Sequence, residues 1–406
     1  MHRRTGLAVL VAGATVAAVA GALVFADSPY LLVFPLLGLG GLAGALVARG
    51  AAARALGVNL AAAAVALSVA EYYCWFDRPA PDPARYAGRF TEDYFQRDDL
   101  LGYGPAPGIR ADARKVVGGA LVYDVVYGID ANGLRRAPPG RDGSRSCVLF
   151  FGDSVTFGEG VGDEQAMPYR VGVRSDGRHR VLNYGFHGYG PHQMLARLEQ
   201  GRLPGSAGCD AAVGVYQAIP AHVARSAGLA SWDRHGPRYR LTDTGDVVRD
   251  GHFDSDPPGA AQRALRLERC WAVRRVWGPE RALQSRDLDL YLAVVERART
   301  RFQERFPGGE FHVLLWGGAG ERQYDAIVAG LTQRGLRVHP VAAMLPGHAR
   351  DPDRYALGPH DAHPNPDAHD RIAAYVAETI LTTAAVVADG RGNPREAEGP
   401  TRSPRR

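Results

Sequence analysis

Residues 147–161 read CVLFFGDSVTFGEGV, and this stretch decides the fold. The apolar run at 147–151, closed by Gly152, fits a strand buried on both faces, as parallel sheets require. A serine just past the C-terminal end of such a strand stands where open α/β sheets place their ligands. Gly152 and Gly158 allow tight backbone turns, and a helix starting soon after would aim N–H groups at the same place. Further strand-like runs follow at 180–183, 211–216, 311–316 and 336–341, alternating with helical patterns at 164–174, 191–201, 322–334 and 366–381. The alternation predicts an α/β fold, a parallel sheet with helices on both faces.

A serine hydroxyl is a poor nucleophile until a base takes its proton. For Ser154 the candidate base is His363 in DAHPN, with Asp361 two positions upstream to hold the imidazole tautomer. The same two residues would also serve as caps at the start of the last helix. NYGFHGYG, at 183–190, ends the second strand. Gly188 there offers an unobstructed N–H to a developing oxyanion, while Gly185 shapes the turn. Asp153 is expected to accept backbone N–H groups in the turn. His187, His192, His360 and His369 read as surface or packing histidines, with His360 the one best placed to replace His363.

GDS, NxGxxG and DxHPN, in this order, resemble the SGNH/GDSL hydrolase superfamily over residues 147–386. The resemblance implies a three-layer α/β/α fold of flavodoxin type and ester or acyl chemistry, with no metal and no cofactor. It assigns Ser154 as nucleophile, the N–H groups of Ser154 and Gly188 to the oxyanion hole, and Asp361 and His363 as acid and base. Two departures stand out. The last block is DxH where the family has DxxH, and the GxND block, with its oxyanion asparagine, is replaced at 215–225 by VYQAIPAHVAR. Gln217 is the candidate substitute for that asparagine, its side-chain amide being the right donor type. Asp153, His222 and Arg225 are candidate pocket residues, Arg225 and His222 for an anionic substrate group.

Upstream, three apolar stretches at 6–26, 30–48 and about 55–75 each approach the roughly 20 residues that cross a bilayer. Arg3 and Arg4 precede the first, and Arg49 and Arg54 separate the second from the third. The positive-inside rule places these arginines in the cytoplasm and everything after Trp75 outside, periplasmic or extracellular. The division expected is an anchor of three transmembrane helices (1–76), a linker with a small β element (77–146), a catalytic domain (147–388) and a disordered tail (389–406). Within the catalytic domain, 221–310 reads as an insert whose second half, 258–305, is helical. SWDRHGPRY, at 231–239, reads equally as a sugar-binding surface or as loop packing.

The net charge of +5 rests on 48 basic residues, of which Lys115 alone is a lysine. The arginines are scattered without an aromatic-interleaved stripe, which argues against nucleic-acid binding. Four cysteines show no metal-ligand spacing. Cys209 and Cys270 are either a disulfide or small buried residues, and Cys147 is expected to be packed and free. The function expected is a membrane-tethered serine esterase or acylhydrolase acting on an ester-bearing small molecule, lipid or glycan. The alternatives are an O-acyltransferase to a cell-envelope glycan and a non-catalytic envelope binding protein.

Overall fold

The computed structural model describes residues 28, 30–77, 84–255, 270, 272, 273, 275, 283, 285–348 and 350–382. The chain divides into two compact units, Met1–Pro81 with Asp256–Gln284, and Asp82–Ser255 with Ser285–Arg406.

In the first unit, α1 (Tyr30–Val47) and α2 (Ala51–Phe76) are long and apolar enough to cross a membrane, with mean hydropathy 2.0 and 1.6. Small residues let their backbones approach closely, as in membrane helix pairs. A Cβ on Gly57 would fall 2.7 Å from the carbonyl oxygen of Gly41. Glu71, the one acidic residue of the third apolar stretch, accepts hydrogen bonds from Ser28 Oγ at 2.6 Å and Cys270 Sγ at 3.0 Å. The expected span at 6–26 and tail at 389–406 lie outside the described residues.

The second unit opens with short strands. β1 (Arg85–Ala87), β4 (Arg110–Val117) and β5 (Ala120–Gly128) form one antiparallel sheet, and β2 (Phe95–Asp98) with β3 (Gly102–Pro105) a hairpin. The strand expected at 120–130 is β5. Its partner β4, RADARKVV, escapes a propensity reading because Ala and Arg are poor strand formers. It is nonetheless amphipathic, with Ala111 and Ala113 fully buried.

The central sheet starts with β6 (Ser146–Phe151), followed by α3 (Ser154–Phe157), α4 (Met167–Arg174), β7 (Arg180–Asn183), α5 (Pro191–Glu199) and β8 (Ala211–Ala218). The insert contributes α6 (His222–Ser226), a hairpin of β9 (Pro237–Leu241) and β10 (Val247–His252), and α7 (Ser285–Arg305). The hairpin was not foreseen, and of the helix expected at 258–305 the described part is mainly α7. β11 (Glu310–Leu315), α8 (Arg322–Gln333), β12 (Arg337–Pro340), β13 (Ala356–Gly358), β14 (Asp361–Pro364) and α9 (Pro366–Tyr375) complete the unit.

The five-stranded sheet runs β7-β6-β8-β11-β12 with every pair parallel. In chain order this is 2-1-3-4-5, the flavodoxin-like arrangement, whose switch point lies between β6 and β8. Alternate strand residues face opposite layers. Val148, Phe150, Val215 and Leu314 pack with Val171 of α4 and Ile372 of α9. On the other face Phe311 meets Phe302 of α7, ring centroids 5.6 Å apart. The architecture is therefore α/β/α in three layers.

Cys147 is bonded to Cys209. This corrects the expectation that Cys147 is free, and of the two alternatives left open for Cys209 and Cys270 it removes their pairing, Cys270 being buried and free. β6 and the approach to β8 are adjacent parallel strands, a neighbourhood that cysteine spacing does not reveal. A cross-link spanning 62 residues stabilises chiefly by restricting the unfolded chain, typically by about 2–4 kcal/mol. We expect the Cys147→Ala/Cys209→Ala variant to lose about that much, read as a lowered urea midpoint at unchanged m-value.

Candidate active site

Ser154 is set by the turn that leaves β6. Gly152 has φ 145°, and a Cβ there would lie 2.2 Å from Thr156 Oγ1 and 2.7 Å from the Gln217 carbonyl oxygen. Only glycine fits this close approach. Asp153 caps α3, its Oδ1 accepting from Val155 N at 3.0 Å, as the sequence suggested. Its Oδ2 lies 2.8 Å from Arg225 Nη1 and 3.3 Å from His222 Nε2. Burial opposes ionisation of Asp153, but Arg225 and His222 outweigh it and hold the carboxyl well below the usual range.

His363 arrives from the opposite end of the chain on β14. Asn365 caps α9 by accepting from Ala368 N, with Pro366 in the first turn. This fixes the chain immediately after the histidine. His363 Nε2 stands 2.8 Å from Ser154 Oγ, and His363 Nδ1 stands 2.6 Å from Asp361 Oδ1. The same oxygen accepts from His363 N at 2.9 Å. Serine, histidine and aspartate thus form one hydrogen-bonded series. His360 is exposed and outside it.

The electrostatics suit a base that cycles between neutral and charged. Burial disfavours the imidazolium, but the hydrogen bond to Asp361 and the negative charges of Glu159, Asp361 and Asp153 outweigh it, raising His363 above the ordinary histidine value. For Asp361, burial disfavours the carboxylate, and the bonds from His363 and Lys115 more than offset this, holding it well below the ordinary aspartate value.

These groups open on a cavity of about 650 Å³. Tyr86, Phe90, Phe95, Tyr103 and Trp232 form its aromatic wall, and Ser154, Glu159, His187, Gly188, Arg225 and His363 its polar part. Gly188 adopts φ 71°, and a Cβ there would fall 2.5 Å from Trp232 Nε1. Among the described residues, no hydrogen bond within the chain occupies the backbone N–H of Ser154 or of Gly188. Two N–H donors are thereby left for a ligand.

The remaining sequence candidates fall in different places. Arg225 lines the cavity, its guanidinium 5.7 Å from the Trp232 ring centroid. His222 is fully buried behind the site, its Nδ1 2.6 Å from Tyr216 OH. Gln217 is also buried, its Oε1 accepting from Thr156 Oγ1 at 3.1 Å, and it is not among the cavity-lining residues. No asparagine or glutamine side chain is among them. His192 bonds Asp233 and His369 accepts from Met167 N, both buried in packing roles. His187 instead lines the cavity.

Several site residues were not singled out from sequence. Glu159 Oε2 lies 2.7 Å from His187 Nδ1 and 3.6 Å from His363 Nε2. Burial works against its charge, but His187 and His363 hold it at about 2. Lys115 Nζ donates to Asp361 Oδ2 at 2.8 Å. Arg135, only 2% exposed, donates to the carbonyls of Phe157, Gly158 and Val161 at 2.5–2.7 Å and reaches Asp163 at 3.2 Å. It pins the loop that follows Ser154. Removing it strands three buried acceptors and leaves Asp163 without its cation. Arg135→Met should cost about 3–5 kcal/mol in urea unfolding, in line with breaking a buried ion pair.

All but one of these newly found groups, Glu159, come from residues 84–136, upstream of β6, as do Tyr86, Phe90, Phe95 and Tyr103. The only signal in sequence was the solitary lysine, which composition alone does not place.

No family model and no curated protein sequence matches the chain. Among solved structures, it is similar to a lipolytic protein of the G-D-S-L family from Desulfitobacterium hafniense DCB-2. That likeness is at 10% identity and TM-score 0.33, covering 58% of this chain and 98% of the other. An alpha/beta hydrolase enzyme from the metagenome of Lake Arreo, Spain, is similar at 14% identity and TM-score 0.33, covering 61% of this chain and 97% of the other. The fold assignment rests on the strand order and layers of the chain itself.

Proposed function

We propose that this protein is a membrane-tethered serine esterase or acylhydrolase that works outside the cytoplasm. The observation that carries the reading is the series Asp361–His363–Ser154 opening on a cavity beside two free backbone N–H groups. Ser154 Oγ attacks the ester carbonyl while His363 Nε2 takes its proton. Asp361 keeps Nδ1 protonated and stabilises the imidazolium. The N–H groups of Ser154 and Gly188 receive the oxyanion. His363 then protonates the departing alkoxide, and water, deprotonated by the same nitrogen, releases the acid and restores Ser154. No step calls for a metal or cofactor. Arg225, which lines the cavity, would meet a polar or anionic part of the substrate, and the aromatic wall its apolar part.

The location outside the cytoplasm is supported by the order of charges. Arg49 and Arg54 lie between α1 and α2, so the chain after α2 emerges on the opposite side. The Cys147–Cys209 bond belongs to an oxidising compartment.

Purified full-length protein, incubated with short- and long-chain acyl esters in the presence and absence of hydroxyl acceptors, tests the reaction class by mass spectrometry. Release of free acid in both conditions is the expected result. Acyl transfer to the acceptor without free acid would replace hydrolysis with transferase chemistry, and no product from any ester would remove the enzymatic reading.

A further inference from the structure

Among 48 basic residues, Lys115 alone is a lysine, and its ammonium is bonded to the acid of the series. Burial leaves it 8% exposed. It reaches Asp361 from β4, outside the sheet that carries Ser154, with its Nζ 5.3 Å from the Tyr86 ring centroid. Asp361 is thereby held at both oxygens. Oδ1 receives His363 Nδ1 and N, and Oδ2 receives Lys115 Nζ. A carboxylate with donors on both oxygens cannot swing, so the face it presents to His363 is fixed.

Charge gives the contact a second consequence. Three carboxylates surround His363: Asp361 at Nδ1, Glu159 at 3.6 Å from Nε2, and Asp153 beside Ser154. Each has a partner, Arg225 for Asp153, His187 for Glu159 and Lys115 for Asp361. His369, the buried histidine behind them, is pushed by burial to about 3 and adds no charge. Arg135 is committed to Asp163 and to loop carbonyls. If Asp361 had no cation, its full charge would add to that of Glu159 and hold the proton on His363 more tightly, and a protonated histidine cannot accept the serine proton.

Building on the esterase reading, we propose that Lys115 is a positioning residue of the active site, which fixes the Asp361 carboxylate and offsets part of its charge beside His363. The element upstream of the nucleophile strand is then part of the catalytic apparatus. The ammonium delivers a compact point charge to one carboxylate oxygen.

The test is the pH dependence of fluorophosphonate labelling of the full-length protein, with thermal melting as the control for folding. Lys115→Met removes donor and charge, Lys115→Gln keeps a donor without charge, and Lys115→Arg keeps both. Labelling needs neutral His363, so losing the cation should move the half-maximal pH upward. A nearby unit charge is typically worth about one pH unit or more, and we expect about one unit for both Met and Gln variants. The Arg variant should stay within about 0.3 unit of wild type, on the same charge reasoning. Midpoints unchanged in whichever of the Met and Gln variants melts cooperatively would overturn the proposal. Failure of the esterase reading is distinguishable, because the wild-type protein itself would then not label at Ser154.

Discussion

Replacing Ser154 with alanine should lower ester turnover by about 10⁴- to 10⁶-fold, the range found when the nucleophile of a triad is removed. The structure says why the loss should be large and why some rate should survive. Ser154 Oγ is the atom that His363 Nε2 touches at 2.8 Å, so its removal leaves the base with nothing to activate except water. The N–H groups of Ser154 and Gly188 and the cavity remain, and binding with oxyanion stabilisation still exceeds the rate in plain water. Folding should barely change, since the substitution deletes one hydroxyl and creates no cavity larger than an atom. Side-by-side melting curves should agree within the roughly 0.5 kcal/mol typical of substitutions that remove no packing.

His363→Ala should cost about 10⁴-fold or more, and the loss should not add to that of Ser154→Ala because both residues serve one proton transfer. Steady-state rates of the two single variants and the double variant make the check, with the double variant expected no slower than the worse single one. The wild-type pH profile carries the sign of the histidine's environment. The base works only when neutral, and the bond to Asp361 with nearby carboxylates raises its pKa against the effect of burial. Activity should therefore climb with pH through a midpoint above the ordinary histidine value of about 6.5. Asp361→Asn should move that midpoint down, because the largest favourable contribution is gone, while also lowering the plateau through loss of tautomer control.

How much of this was legible in the sequence follows from which signals are local. The strand at 147–151 announced itself by an unbroken apolar run, and the serine at its end by glycine on either side of a turn. Asp361 and His363 were legible because two residues on one short strand can meet without any help from the rest of the fold. The βα alternation predicted the parallel sheet with helices on both faces, whereas the flavodoxin type, whose strand order is 2-1-3-4-5, came only from the family resemblance; the boundaries of β7 and α8 fell within one residue of the patterns that suggested them.

What was not legible depends on contacts between distant segments. Lys115 and Asp361 are 246 positions apart, and nothing near either announces the other. The Cys147–Cys209 pairing depends on β6 and β8 being neighbours, which spacing cannot tell from a pairing with Cys270. Glu159 carries no signal of its own within its glycine-rich loop, because its partner at the cavity wall is His187, expected to be a surface or packing histidine. Gln217 had the right chemistry for an oxyanion donor, yet its alternation along β8 turns the side chain to Thr156. A residue type read from sequence carries no information about which face of a strand it leaves by until the register is known.

The central claim, that Ser154 is an activated nucleophile served by His363, is tested most directly by a covalent adduct. Purified full-length protein is treated with a fluorophosphonate near pH 8, digested, and mapped by tandem mass spectrometry beside the Ser154→Ala and His363→Ala variants. The account predicts a single phosphonyl adduct on Ser154, absent from the first variant and formed at least about a hundredfold more slowly in the second, the lower end of what a positioned general base contributes. An adduct on another residue, equal labelling of Ser154→Ala, or no labelling of the wild-type protein would contradict it.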